Sequence, residues 1–227
     1  MRKSARRMAI EEVRAPTLAE VCAHEAGHAV VQLASGPGEW IEYIEVNNQD
    51  EGRLGVVWSQ AEWQPWMREE PAPPEIAERR RRAAARDVVN YLAGNVAEFR
   101  FRGRPRIEIK FGCGEMANAC VAEPLESRTD YGLARNRLAW ITPGAERIGF
   151  MHAWLATESI VASWWSEILL LAGELERRGR LTDEDLYPLW NGMRDARTTR
   201  ALAHARRTAD WLPRHRADLD ETDRFAP

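Results

Sequence analysis

The sequence predicts a mainly α-helical fold with one small β-hairpin or sheet near the N-terminal part. Three observations predict it. Apolar residues recur at helical spacing through most of residues 17–212. Capping and stop signals bracket those stretches. Only two short runs, 40–46 and 53–58, alternate as strands do.

Taken in order, residues 1–16 read as a polar arm ending at Pro16. Thr17 and Glu20 form a capping box, in which each side chain satisfies a backbone donor of the other. The helix they open carries Leu18, Val21, Val30 and Leu33 on an apolar face and stops at Ser35-Gly36-Pro37. WIEYIEV and RLGVVW follow as paired strands around the polar turn NNQDEG. Residues 59–74, with Trp63, Trp66 and a PAPP tract, read as a loop. A long helix is expected over 75–102, buried along Val88, Leu92, Val96 and Phe99 and ended by Gly103 and Pro105. Residues 104–126 read as irregular. Helices are then expected from Ser127 to Ile141, over 146–178, from Thr182 onward and over 194–212, with 213–227 a tail. Residues 17–212 thus form one domain.

The chain has 227 residues, 44% of them apolar and 30% charged, enough for a packed core. Its net charge of -3 argues against a nucleic-acid binder, which would be strongly basic. Lys3 and Lys110 are the only lysines, so 30 of the 32 basic residues are arginine; scattered as they are, they mark composition rather than a patch. Cys22, Cys113 and Cys120 make an odd count that fits a reducing compartment. Cys113 and Cys120 lack a zinc-knuckle spacing and read as small buried hydrophobes. The N-terminus has no apolar signal core, and no run of about 18 apolar residues exists, so a cytoplasmic protein without a membrane span is expected.

One motif carries chemistry. Residues 24–28 read His-Glu-Ala-Gly-His, the HExxH pattern. Residues four apart share a helix face, so His24 and His28 can reach one metal ion. Zinc suits two imidazoles and a carboxylate, leaving a fourth position for water. Glu25, beside the first histidine, can take that water's proton as it attacks a carbonyl. The HExxHxxGxxH extension is missing, and His152, His204 and His215 lie in helical or tail contexts that suit a ligand poorly. The third ligand is then a carboxylate, Glu98 or Asp130; periodicity does not separate them.

HEAGHAVV, preceded by TLAEVCA, closely resembles the zinc helix of the FtsH-type ATP-dependent metalloproteases. Weaker likeness follows in the family's order through IEYIEVNNQDEGRLGVVW, YLAGNVAEFRFRG, SRTDYGLARNRLAWI and LAGELERRGRLTDEDLYPL, covering about residues 17–190. The resemblance implies a helical, zincin-like peptidase domain holding one zinc ion per chain through His24, His28 and Asp130, with Glu25 catalytic. Glu98 then becomes a carboxylate that steadies a ligand imidazole, and Ser127 and Asp130 also suit the cap of their helix. The strand residues Leu54, Gly55, Val56, Val57 and Trp58 become candidates for pairing with an extended substrate. Trp58, Trp63 and Trp66 suit a groove for apolar side chains as well as plain packing. The family also carries a membrane anchor and an ATPase module. This chain has no G-x-x-x-x-G-K-[ST] loop, so no ATP binding is expected. The expected substrates are peptides or unfolded chains; a homo-oligomer and a separate ATPase partner are both compatible with the sequence. The interval from His28 to Asp130 is longer than the family's, and 59–74 and 104–126 are the expected sites of the excess. After Ile141 the chain reads TPGAERIGFMHAW in place of the family's usual continuation.

Overall fold

The structure is a computed structural model that describes residues 15–35, 40–46, 55–60, 73–103, 114 and 116–201. The arm over 1–14, the NNQDEG turn, Leu54, Trp63, Trp66, Cys113, His204, His215 and the tail lie outside these residues. The chain divides into two units, 1–181 and 182–227. The architecture is mainly helical with a small three-stranded antiparallel sheet, as the sequence predicts.

Helix α1 (Leu18–Ala34) is the centre of the first unit. Its capping box forms as expected: Thr17 Oγ1 accepts from Glu20 N–H at 3.3 Å, and Glu20 Oε2 accepts from Thr17 N–H at 2.7 Å. The helix is buried on more than the one predicted face. Cys22, Ala23, Ala26, Ala29, Val30 and Val31 are all fully covered, whereas Leu18 is exposed. Helix α2 (Pro74–Phe101) lies along it. It starts with proline at its first position, where no N–H is missed, and ends before Gly103, whose φ of 70° a side chain would resist. The two helices approach closely because the crossing is built from small residues. A Cβ on Gly27 would stand 2.6 Å from Ala97 Cβ and 2.8 Å from Ala93 O.

Strands β1 (Trp40–Val46) and β2 (Gly55–Gln60) form the antiparallel hairpin, and both pack on α1. Ile41 pairs with Ser59 and Tyr43 with Trp58, so Glu42 is an extra residue in the ladder. That bulge turns both Ile41 and Ile44 to the core although they are three apart. The sheet order is β2-β1-β3, which leaves β2 at an edge.

Residues 104–126 are not wholly irregular: 116–122 form a short helix, α3, that buries Ala117 and Cys120. Cys120 is the buried small residue expected of it, its thiol donating to Tyr131 O at 3.3 Å. Helix α4 (Asp130–Ile141) begins three residues later than predicted. Its cap is Thr129, whose Oγ1 accepts from Gly132 N–H, while Ser127 Oγ turns to Thr129 instead. Asp130 therefore does not cap the helix and is free for other work.

The predicted helix over 146–178 is two, α5 (Glu146–Ser163) and α6 (Trp165–Arg178), bent by 76°. Trp164, at φ −107° and ψ 16°, serves as the end of one and the start of the next. No proline or glycine marks this break in the sequence. Phe150 and Trp154 of α5 stack at 5.7 Å, and Trp154 meets Phe99, which is only half-buried. Ile168, Leu171, Ala172 and Leu175 form the buried stripe of α6, which packs on α1. Gly179, at φ 76°, ends α6. β3 (Arg180–Thr182), too short to show alternation in the sequence, follows at once. Among the described residues no single helix is long and apolar enough to cross a membrane.

In the second unit, residues 183–201 form one continuous helix, α7, where two segments were expected. Thr182 N–H and Oγ1 both donate to Asp185 Oδ2 at 3.2 Å and close its first turn. Leu186, Trp190 and Met193 make its buried face.

Candidate metal centre

Histidines 24 and 28 project from the middle of α1 at a spacing of one turn, toward α2 and the start of α4. The Nε2 atoms of the two rings stand 3.1 Å apart. Asp130 Oδ2 is 3.0 Å from His24 Nε2 and 3.3 Å from His28 Nε2. Among the described residues this is the group of three whose ligand atoms converge.

The other ring nitrogens decide what the triangle can hold. His28 Nδ1 lies 2.7 Å from the main-chain oxygen of Asn90, which only accepts. His24 Nδ1 lies 3.2 Å from Glu98 Oε2. Both Nδ1 atoms therefore carry the proton, and in the neutral rings both Nε2 lone pairs face the Asp130 oxygen. Three electron-rich atoms at contact distance repel unless a cation stands among them. Zinc bonded at about 2.0–2.1 Å in tetrahedral geometry spaces its ligand atoms by about 3.3 Å. The sides of 3.0, 3.1 and 3.3 Å fit one face of that tetrahedron.

The electrostatics carry the same preference for positive charge. Burial lowers the His24 pKa, but hydrogen bonds to Asp130 and Glu98 outweigh it and raise it to about 10. The His28 ring is likewise raised: burial opposes protonation, and the Asp130 charge overrides it. Burial opposes ionisation of Asp130 too, yet His28 and His24 hold its carboxyl well below the usual range. Each pair of opposites is held in a site only 11–29% exposed, where screening by water is reduced.

Glu25 shares the site without sharing the triangle. Among the described residues its carboxylate makes no hydrogen bond, and burial pushes its pKa up, against the pull of the two imidazoles. Gly55 at the start of β2 leaves room for it: a Cβ there would stand 2.6 Å from Glu25 Cγ and Oε1. The edge strand thus begins directly against this carboxylate. Val56 and Val57 lie next along it, half-buried, and Trp58 continues the strand's backbone opposite Tyr43.

Glu98 and Asp130, which the residue pattern leaves unseparated, occupy different sides of His24. Asp130 meets Nε2 with the ligand atoms; Glu98 meets Nδ1 behind the ring. His152 is exposed on α5 and is not among the converging groups.

Several contributors are silent in the sequence. Gly94 lies directly under the rings: a Cβ there would stand 2.3 Å from His28 Nε2 and 2.6 Å from His24 Nε2. Asn95 donates its amide to Asp130 Oδ2 at 3.1 Å. Asn90 supplies its carbonyl to His28 and its amide to Gln32. Arg102 pairs with Glu98. The one available signal is spacing: 90, 94, 98 and 102 recur every four residues, with 95 next to 94, so they share a face with Glu98. No protein-family model and no curated protein matches the chain.

Proposed function

We propose that the protein is a zinc metallopeptidase of FtsH type that hydrolyses peptide bonds in peptides or unfolded chains and requires no ATP of its own. The observation that carries this reading is the convergence of His24 Nε2, His28 Nε2 and Asp130 Oδ2, with both Nδ1 protons committed elsewhere and the buried Glu25 alongside. The HEAGH helix and its resemblance to the family supply the reaction class.

In this reading His24, His28 and Asp130 hold the zinc. When bound, zinc supplies a Lewis acid that polarises a carbonyl and acidifies a water. Glu25, raised in pKa by burial, takes the proton from the attacking water and returns it to the leaving amine. Asn95 and Glu98 fix Asp130 and His24 from outside the ligand set. The β2 edge, through Gly55, Val56, Val57 and Trp58, aligns an extended segment by main-chain pairing beside Glu25. Metal analysis of the purified protein, together with digestion of an unfolded casein-type substrate, tests the reading. One zinc per chain with chelator-sensitive digestion supports it. Bound zinc without hydrolysis of any unfolded substrate would instead make the protein a zinc-containing interaction module.

A further inference from the structure

The two imidazoles are held from behind in different ways. His28 Nδ1 donates to a main-chain carbonyl, that of Asn90, which belongs to the backbone of α2 whatever its side chains. His24 Nδ1 depends on a side chain, Glu98, and Glu98 on another. Arg102 Nη2 reaches Glu98 Oε1 at 2.5 Å, one turn further along α2. The Nε of the same guanidinium lies 3.3 Å from Glu20 Oε1, an ion-pair distance at which it makes no aligned hydrogen bond. Glu20 in turn uses its other oxygen, Oε2, on Thr17 N–H.

Each carboxylate in this series points one oxygen each way. Glu20 is 5% exposed, and Glu98 and Arg102 are 20% and 23% exposed, so water competes weakly for the contacts. Arg102 is also the C-terminal cap residue of α2, and Gly103 after it turns the chain away at φ 70°. The series therefore runs from the first turn of α1, across the end of α2, to the back of the His24 ring.

Resting on the metal-site reading above, we propose that Arg102 is a positioning residue for the metal. By clamping Glu98 it fixes the plane of His24, and by its contact with Glu20 it couples that setting to the N-terminal turn of α1.

The test is a double-mutant cycle on zinc affinity, measured by competition with a chromogenic chelator on the full chain. Glu98→Gln is expected to weaken zinc binding about 10–100-fold and Arg102→Gln about tenfold, the range for groups that orient a ligand. The double variant is expected to bind no more weakly than Glu98→Gln alone, because Arg102 acts through Glu98. Arg102→Lys, which keeps the charge but not the fork, is expected to recover part of the loss. A merely structural ion pair would lower the melting temperature of the metal-free protein and leave zinc affinity unmoved. Arg102→Gln affinity equal to or tighter than that of the unaltered protein overturns the proposal. So does a double variant whose loss is the product of the two single losses. Should Arg102→Gln fail to fold, Glu20→Gln carries the same cycle, with a loss smaller than about tenfold expected, because it acts one contact further out, that vanishes in the Glu98→Gln background; an unchanged affinity overturns it. An unaltered protein that binds no zinc overturns the metal-site reading along with this one, whereas bound zinc with an additive cycle overturns the Arg102 link alone.

Discussion

Gly94→Ala separates the geometry of the metal site from the stability of the fold. On an ordinary helix interior the exchange would stabilise by up to about 1 kcal/mol, since alanine loses less backbone entropy than glycine. Here the added Cβ would stand 2.3 Å from His28 Nε2 and 2.6 Å from His24 Cδ2 and Nε2. To reach an ordinary contact of 3.4 Å the His28 ring must retreat by about 1.1 Å. Metal ligands tolerate displacements of about 0.2 Å. The ring cannot retreat without giving up its bond to the Asn90 carbonyl, and α2 cannot draw back without opening the close crossing that Gly27 allows against Ala93 and Ala97. We therefore expect overpacking to cost about 1–3 kcal/mol in the metal-free protein, leaving it folded, and zinc affinity to fall by more than about 100-fold, beyond the loss expected for an orienting group. Chelator-competition titration gives the affinity, and thermal melting in excess chelator gives the stability. A Gly94→Ala protein that binds zinc as tightly as the unaltered chain would refute the close seating of the rings on α2.

Three further outcomes follow from the same geometry. Asp130→Ala should cut zinc occupancy severely, whereas Glu98→Ala should weaken binding only about 10–100-fold; zinc titration giving the reverse order would move the ligand role to Glu98. Zinc must displace the proton that His24 holds up to about pH 10 in the metal-free protein, so apparent affinity should rise about tenfold per pH unit for each proton released, from pH 6 to 9; calorimetry in buffers of different ionisation heat should show that release, and a pH-independent affinity would contradict it. Extracting a segment from a folded domain costs that domain's stability, about 5–15 kcal/mol, so a tightly folded substrate should resist and its unfolded variant be cut, with no effect of ATP. Stimulation of the purified chain by ATP would contradict this; stimulation only with added extract would indicate a separate ATPase partner.

What could be read from the sequence was local. Thr17 and Glu20 sit three apart and announce the start of α1; His24, Glu25 and His28 lie on that one helix, so their spacing alone places them together. The β-bulge at Glu42, the break at Trp164 and the three residues of β3 leave no periodic trace, because each is set by what the neighbouring element requires. The roles of Gly94, Asn95 and Arg102 depend on how closely α2 crosses α1, and that closeness is set jointly by Gly27, Ala93 and Ala97 on two segments far apart in the chain. Asp130 and Glu98 were both recognisable as carboxylates for the site; which side of His24 each would occupy required the crossing and the start of α4 at Thr129.

The central claim is that Glu25 works on water beside a zinc held by other residues. Digestion of an unfolded, fluorescently labelled casein by zinc-loaded protein and by its Glu25→Gln variant tests it most directly. The account predicts cleavage by the unaltered chain, none by the variant, and the same zinc content in both, because glutamine matches glutamate in shape but cannot accept the proton. Undiminished cleavage by the variant, or a variant that has lost its zinc, would contradict it.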